Sequence, residues 1–291
     1  MTSSSIAMRP VVRERGTSFV DRIVPAVLIL AALAFLGLFL VLPLAAIFFE
    51  AFRHGWAAYA AAIRDSDTVE ALKLTLLTAA IAVPLNTVFG LAAAWSITKF
   101  AFRGKDLLLT LIDAPLAVSP VVAGLIYILV FSRHGWFGPW FIDHGIRVVF
   151  AVPGIALATI FVTFPFVARE LIPFMQAQGN QEEEAAAVLG AGGWQTFFRV
   201  TLPNIKWSLL YGVILATSRA VGEFGAVSVV SGHIRGVTNT LPLQVEILYN
   251  DYRYSAAFAV ASLLTLMSVI SLVAKKIIEW KTRRTPAALE S

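Results

Sequence analysis

The chain has no cysteine among its 291 residues, and only 14% of them are charged. The first absence excludes thiol catalysis, disulfide staples and Cys-based metal sites. The second, beside 58% hydrophobic residues and a mean hydropathy of +0.78, excludes an ordinary soluble domain. Histidine is scarce too. His54, His134, His144 and His233 fall outside the long apolar runs, without metal-like spacing to acids, so each reads as a surface residue and no metal site is expected. The sequence also lacks a Gly-rich phosphate loop and a convincing nucleophile motif, so no catalytic residue is assigned and the chain is not expected to hydrolyse anything itself. Energy for any work must come from a partner or a gradient.

What the chain has in excess is apolar length. A bilayer core needs about 20 apolar residues per helix, and runs at 23–49, 72–97, 107–131, 148–174, 207–231 and 256–278 meet that length. The expected fold is therefore all-α, a bundle of six transmembrane helices. The first run follows Arg9, Arg13, Arg15 and Arg22 but is too long, and too poor in cleavage-site character, for a signal peptide. It reads as a retained anchor. The expected organisation is a basic cytoplasmic segment at 1–22, a permeation domain at 23–279 and a cytoplasmic tail at 280–291.

Lys and Arg set the orientation, because short basic loops stay in the cytoplasm. One side carries the amino-terminal arginines, then Lys99, Arg103 and Lys105, then Arg169, Arg199 and Lys206, then Lys275, Lys276, Lys281, Arg283 and Arg284. The opposite side is poorer, with Arg53, Arg64, Lys73, Arg133, Arg147, Arg235 and Arg253. Both termini and the loop at about 176–206 are therefore expected in the cytoplasm of a multi-pass membrane protein. The isoelectric point near 9.6 follows from this dispersed charge, and nucleic acid is not an expected partner. Trp136 and Trp140 are expected in the aromatic belt at the outer interface.

The polar stretch between the fourth and fifth runs is the most informative. From Gln181 to Leu189 it has good helix formers, with Glu182, Glu183 and Glu184 complementing the positive end of the helix dipole. Gly190 is expected to end that helix and Gly192-Gly193 to permit a reversal. A second short helix from Trp194 to Val200, offering Phe197 and Phe198, is expected to stop before Leu202-Pro203. The spacing Glu184-Ala185-Ala186, three residues, Gly190, nine residues, Val200, one residue, Leu202-Pro203 resembles the EAA loop of permease subunits of bacterial ABC importers. In that family the loop fits a groove of the ATP-hydrolysing subunit and carries its motion to the membrane helices.

Polar residues inside the runs mark faces that avoid lipid. Arg219 and Glu223, four apart, are expected to pair on one helix face, with Gly222 and Gly225 permitting close helix approach. A structural ion pair is one reading, and positive potential from Arg219 in an anion path is the other. Asp113, Pro115, Ser119 and Pro120 interrupt the third run, and Pro84 and Asn86 lie near Gly90 in the second. Kinked core packing or a permeation face accounts for each. Asp113 is not an anion ligand, since its charge repels one.

Pro84-Leu-Asn-Thr-Val-Phe-Gly90, Ile112-Asp-Ala-Pro, Ala117-Val-Ser-Pro-Val-Val-Ala-Gly124, Arg219-Ala-Val-Gly-Glu-Phe-Gly-Ala226, Ser231-Gly-His-Ile-Arg-Gly236 and Thr238-Asn-Thr-Leu-Pro-Leu243 are similar to the sulfate/thiosulfate ABC importer permeases, especially the CysW-type subunits. The stretch at 219–226 is shared with molybdate-type permeases, while those at 231–236 and 238–243 favour the sulfate group. Val237 stands where an acid is expected and Ala114 where a larger apolar residue is usual. The resemblance implies the six-helix type I permease bundle of the molybdate and maltose systems and a second, homologous permease of the CysT/CysU type. It also implies a dimer of CysA-type ATPases holding ATP and Mg, and a periplasmic sulfate/thiosulfate-binding protein, with no cofactor on this chain. Two alternatives are import of molybdate or tungstate and a gradient-driven transporter in which Glu223 or Asp113 relays protons; the latter leaves the loop unexplained. A structural scaffold without transport is a third.

Overall fold

The structure, a computed structural model, describes residues 19–284. Arg9, Arg13 and Arg15 of the expected basic segment and residues 285–291 of the expected tail lie outside them. Among the described residues every regular element is helical. In chain order these are α1 (Phe19–Leu36), a π-turn (Gly37–Val41), α2 (Leu42–Phe52), α3 (Gly55–Arg64), α4 (Ser66–Lys99), α5 (Lys105–Ala117), α6 (Pro120–Phe131) and α7 (Gly138–Asp143). There follow α8 (Val152–Gln178), α9 (Gln181–Val188), α10 (Gly193–Thr196), a second π-turn (Phe197–Thr201), α11 (Leu202–Val221), α12 (Gly225–Val230), α13 (Leu241–Asn250) and α14 (Tyr254–Arg284).

The chain divides into two compact units, one ending at Ala46 and one beginning at Ile47. In the first, the residues from Val24 to Ala46 are exposed apart from Gly37, although nearly all are apolar. Such a helix has hydrocarbon or another protein as its natural cover.

The second unit is organised around α8. Gly90 of α4 and Gly212 of α11 press on Val167 of α8, where an added Cβ would come within 2.9 Å of the Val167 Cβ from one side and 3.2 Å of its Cα from the other. Small residues let three backbones approach where lipid provides no hydrophobic drive between helices. Ile97, Ile112, Leu171, Met175 and Ile205 fill the adjoining core between α4, α5, α8 and α11. Leu241, Leu248, Ala257 and Val260 fill a second core, packed on Ala71 of α4.

Among the described residues four helical stretches, Val24–Phe52, Ser66–Lys99, Val152–Gln178 and Tyr254–Ile278, are long and apolar enough to cross a membrane. The pair α5 and α6 makes a fifth if its 105° bend is counted within one span. The interruption expected in the run at 107–131 is a sharp break at Ser119. Pro120 disfavours helical backbone in the residue before it, and Ser119 accordingly takes φ −58°, ψ 133°. Pro84, Pro115, Pro165 and Pro173, by contrast, lie inside continuous helices.

The continuous helix expected over 207–231 is corrected. It stops at Val221 and restarts at Gly225. The Glu223 carboxylate there accepts the Ala226 N–H at 2.9 Å, satisfying an end group that a continuous helix would have bonded to backbone.

Candidate coupling loop and translocation surface

Between α8 and α11 the chain leaves the apolar bundle as a helical hairpin. Asn180 precedes α9, and Glu182, Glu183 and Glu184 occupy its first turn, where carboxylates meet the unbonded N–H groups and the positive dipole end. The helix closes with a Schellman motif: Gly190 N–H donates to the Ala187 carbonyl at 3.0 Å and Ala191 N–H to the Ala186 carbonyl at 3.0 Å. That closure requires the left-handed backbone Gly190 adopts, φ +85°. Ala186 therefore contributes a carbonyl to the turn, while the side chains of Glu184 and Ala185 are open to solvent.

The expected stop before Leu202-Pro203 is not found. α10, the second π-turn and α11 follow one another without a break, with Leu202 N–H bonded to the Phe197 carbonyl. Pro203 directly follows the widened turn, whose shifted bonding accommodates a residue with no N–H to give. The hairpin's second arm is thus rigidly continuous with a bundle helix.

The first arm is anchored differently. Lys99 Nζ, at the end of α4, pairs with Glu183 Oε1 at 2.9 Å and donates to the Gly179 carbonyl at 2.5 Å. Thr201 Oγ1 donates to the same Glu183 oxygen at 3.2 Å, and Asn204 Nδ2 donates to Glu182. The Lys99 and Glu183 side chains are only 8% and 16% exposed, where a paired charge is screened less than at the surface. Buried Phe197 packs on Trp95 of α4, ring centroids 4.8 Å apart. On the outer side the hairpin exposes apolar surface: Val188 at 87%, Leu189 at 88% and Trp194 at 73%, with Phe198 beside Trp194. Exposed apolar residues clustered on a polar loop mark a protein contact.

The polar residues inside the bundle do not gather in one place. Asn86 is fully buried and donates from Nδ2 to Thr163 Oγ1 at 2.7 Å and to the Ile160 carbonyl at 3.1 Å, tying α4 to α8. Ser119 and Pro120 form the corner between α5 and α6; Ser119 is exposed, and Pro120 lies against Gly225 at the start of α12. Arg219 Nη1 meets Glu223 Oε2 at 2.7 Å, with Glu223 buried and Arg219 one-third exposed. They do not share a helix face, because α11 ends between them. Asp113 Oδ1 meets Arg169 Nε at 3.4 Å, and both side chains are more than half exposed.

Sequence reasoning missed three of these roles. Lys99 counts there only as a topology charge, Glu183 only as a dipole complement, and Arg169 as part of the docking loop, although it lies within α8. A lysine closing an apolar run was the available signal for Lys99. Its partners are too distant in the chain for spacing to reveal them.

Broken apolar helices around a close-packed centre, with a helical hairpin carried outside on a continuous arm, define a membrane transport subunit. Residues 86–284 match the binding-protein-dependent transport system inner membrane component family, and the chain belongs to it. Its relatives are narrower in kind. The sulfate transport system permease protein CysW of Escherichia coli (strain K12) is 54% identical over 242 residues, 83% of each chain. The permease protein CysT of the same organism is 39% identical over 241 residues, covering 83% of this chain and 87% of that one. The fold is shared with a chain from a bacterial ABC transporter that imports the acidic polysaccharide alginate, at TM-score 0.74 and 18% identity, over 91% of this chain and 97% of that one. As a permease subunit of this family the chain is not the ATP-hydrolysing component.

Proposed function

We propose that this chain forms half of the translocation pathway of an ATP-driven importer for sulfate and thiosulfate. Its hairpin at 179–201 is the docking element for a cytoplasmic ATPase. The observation carrying the coupling role is the hairpin's double attachment: one arm continues into α11 and the other is pinned to α4 by Lys99. Force applied at the exposed Val188, Leu189 and Trp194 reaches two bundle helices. What supports the oxyanion class is the 54% identity to a sulfate permease.

A second permease related to CysT pairs with this chain, and a periplasmic binding protein delivers the anion. Two ATPase subunits hold ATP and Mg. In this reading six spans place both termini in the cytoplasm, with α5–α6 and α11–α12 as broken spans of the kind that line substrate paths.

Cells lacking this chain are expected to fail on sulfate as sole sulfur source and to regain uptake of labelled sulfate on complementation. Uptake should cease when ATP is depleted and the ion gradient kept. Survival of uptake under that condition would overturn the reading. Single cysteines replacing Ser132 and His233 are expected to react with an impermeant reagent on intact cells, and one replacing Gln195 only after the inner membrane is opened. External labelling at Gln195 contradicts the orientation.

A further inference from the structure

The Asp113–Arg169 pair is set apart by where it sits. Between Gly154 and Ile172 every residue of α8 is buried or half-buried except Arg169, so over that stretch the central helix of the unit has one exposed position and it is an arginine. Its carboxylate partner on α5 is as open: the two side chains are 57% and 54% exposed. Asp113 follows Lys105 by eight residues and Arg169 precedes Gln178 by nine, about 12 and 14 Å from those helix ends at ~1.5 Å per residue. Both residues thus lie more than two turns inside helices long and apolar enough, alone or as a bent pair, to cross a membrane. Charged groups at such depth face water or protein rather than lipid.

The geometry is that of a loose contact. Arg169 meets Asp113 through Nε at 3.4 Å, longer than a good charge-assisted hydrogen bond, and its Nη groups make no hydrogen bond to any described residue. Glu223 holds Arg219 at 2.7 Å from a buried position and is itself bonded to a backbone N–H. Such a carboxylate cannot yield its arginine. Asp113 can.

We propose that Arg169 is an anion contact in the translocation pathway and that Asp113 is its resident counter-charge. A tetrahedral oxyanion replaces the Asp113 carboxylate on the guanidinium fork, and Asp113 takes the fork back when the anion leaves. The guanidinium suits this exchange because it is permanently charged and offers donors in a planar fork that matches oxyanion edges. The carboxylate makes the exchange reversible: trading one anion for another leaves the net charge around the arginine nearly constant, so the site binds without trapping, as conduction requires. Asp113 thereby acquires a role in anion transport without touching the anion. The inference rests on the oxyanion-importer reading above.

The cysteine-free chain permits a direct test in the assembled complex. Arg169→Cys and Asp113→Cys, as single cysteines, are expected to react with charged, water-soluble thiosulfonates. An anionic reagent should outpace a cationic one at position 113, where Arg169 remains. Sulfate with loaded binding protein and ATP should slow that anionic labelling severalfold. Separately, Arg169→Gln should assemble normally and keep its basal ATP hydrolysis while uptake falls about tenfold or more, the loss of one charge-assisted hydrogen bond. Arg169→Lys should retain part of the uptake. A thiol at 169 that never reacts in the assembled complex, unprotected labelling at 113, or wild-type uptake by Arg169→Gln overturns the proposal. Labelling at 169 does not depend on which anion is carried, so its failure counts against the pathway role alone. Lack of sulfate uptake by the unsubstituted complex counts against the importer reading alone.

Discussion

Arg219–Glu223 and Lys99–Glu183 each bury a carboxylate beside an interruption of the helical backbone, yet they hold different things together. The first spans four residues and closes on itself: Glu223 takes the arginine of the helix before the break and the N–H of the helix after it. It preserves a bend. The second joins the end of α4 to the start of the hairpin, with Gly179 and Thr201 completing the site. It ties separate elements. If the hairpin docks an ATPase as proposed, the local pair fixes shape while the long-range pair transmits force, which separates residues needed for folding from those needed for coupling.

The largest expected effect is on the local pair. Glu223→Ala strands Arg219 and uncaps α12, and breaking a buried pair costs roughly 3–5 kcal/mol, so assembled protein should fall sharply. The double substitution with Arg219→Ala should recover part of it. If Arg219→Ala alone assembles normally but transports poorly, and the double variant stays inactive, Arg219 serves the anion path and the comparison fails.

A smaller cost than the roughly 3–5 kcal/mol of a fully buried pair is expected for Lys99→Ala, which leaves the half-buried Glu183 with only Thr201 as partner. Its consequence should differ in kind. Membrane insertion and pairing with the second permease are expected to persist, while ATP hydrolysis stops responding to the loaded binding protein. The exchange Lys99→Glu with Glu183→Lys should restore part of that response. Loss of insertion in Lys99→Ala, as severe as in Glu223→Ala, would show that both pairs merely stabilise the fold.

Smaller effects sharpen the account of the hairpin. Gly190→Val forces a β-branched residue to φ +85°, at about 1–2 kcal/mol, although an added Cβ there meets nothing within 4 Å. The fault is therefore in the turn alone, and ATPase association should weaken in pull-down while the permease pair assembles fully. Normal ATPase content with normal stimulated hydrolysis removes the loop's assigned role. Glu184→Lys, at an exposed first-turn position, should weaken the same association by about 0.3–1 kcal/mol, an effect that shrinks with added salt.

Legibility in the sequence followed the range of the interaction involved. Gly190 was readable because helix termination is decided within a few residues, and the acids of α9 because their cause is the turn they sit in. Pro120 announced an interruption, since a proline restricts its predecessor. That the interruption is a 105° bend at Ser119, while Pro84, Pro115, Pro165 and Pro173 lie within intact helices, depends on what packs around each. Pro203 misled for the same reason: the widened turn that carries the helix past it was invisible until the preceding helix was seen to run into it.

By itself the sequence determined the membrane setting, the apolar runs and the hairpin with its glycine turn, because hydropathy and turn chemistry are properties of short windows. The tertiary structure alone decided that Asn86 braces α4 against α8, that Lys99 pins the hairpin, and that Arg169 leaves the loop to meet Asp113. Each of these joins residues far apart in the chain. Only the packing of α4, α5 and α11 around α8 sets which charges are buried together and which one remains open.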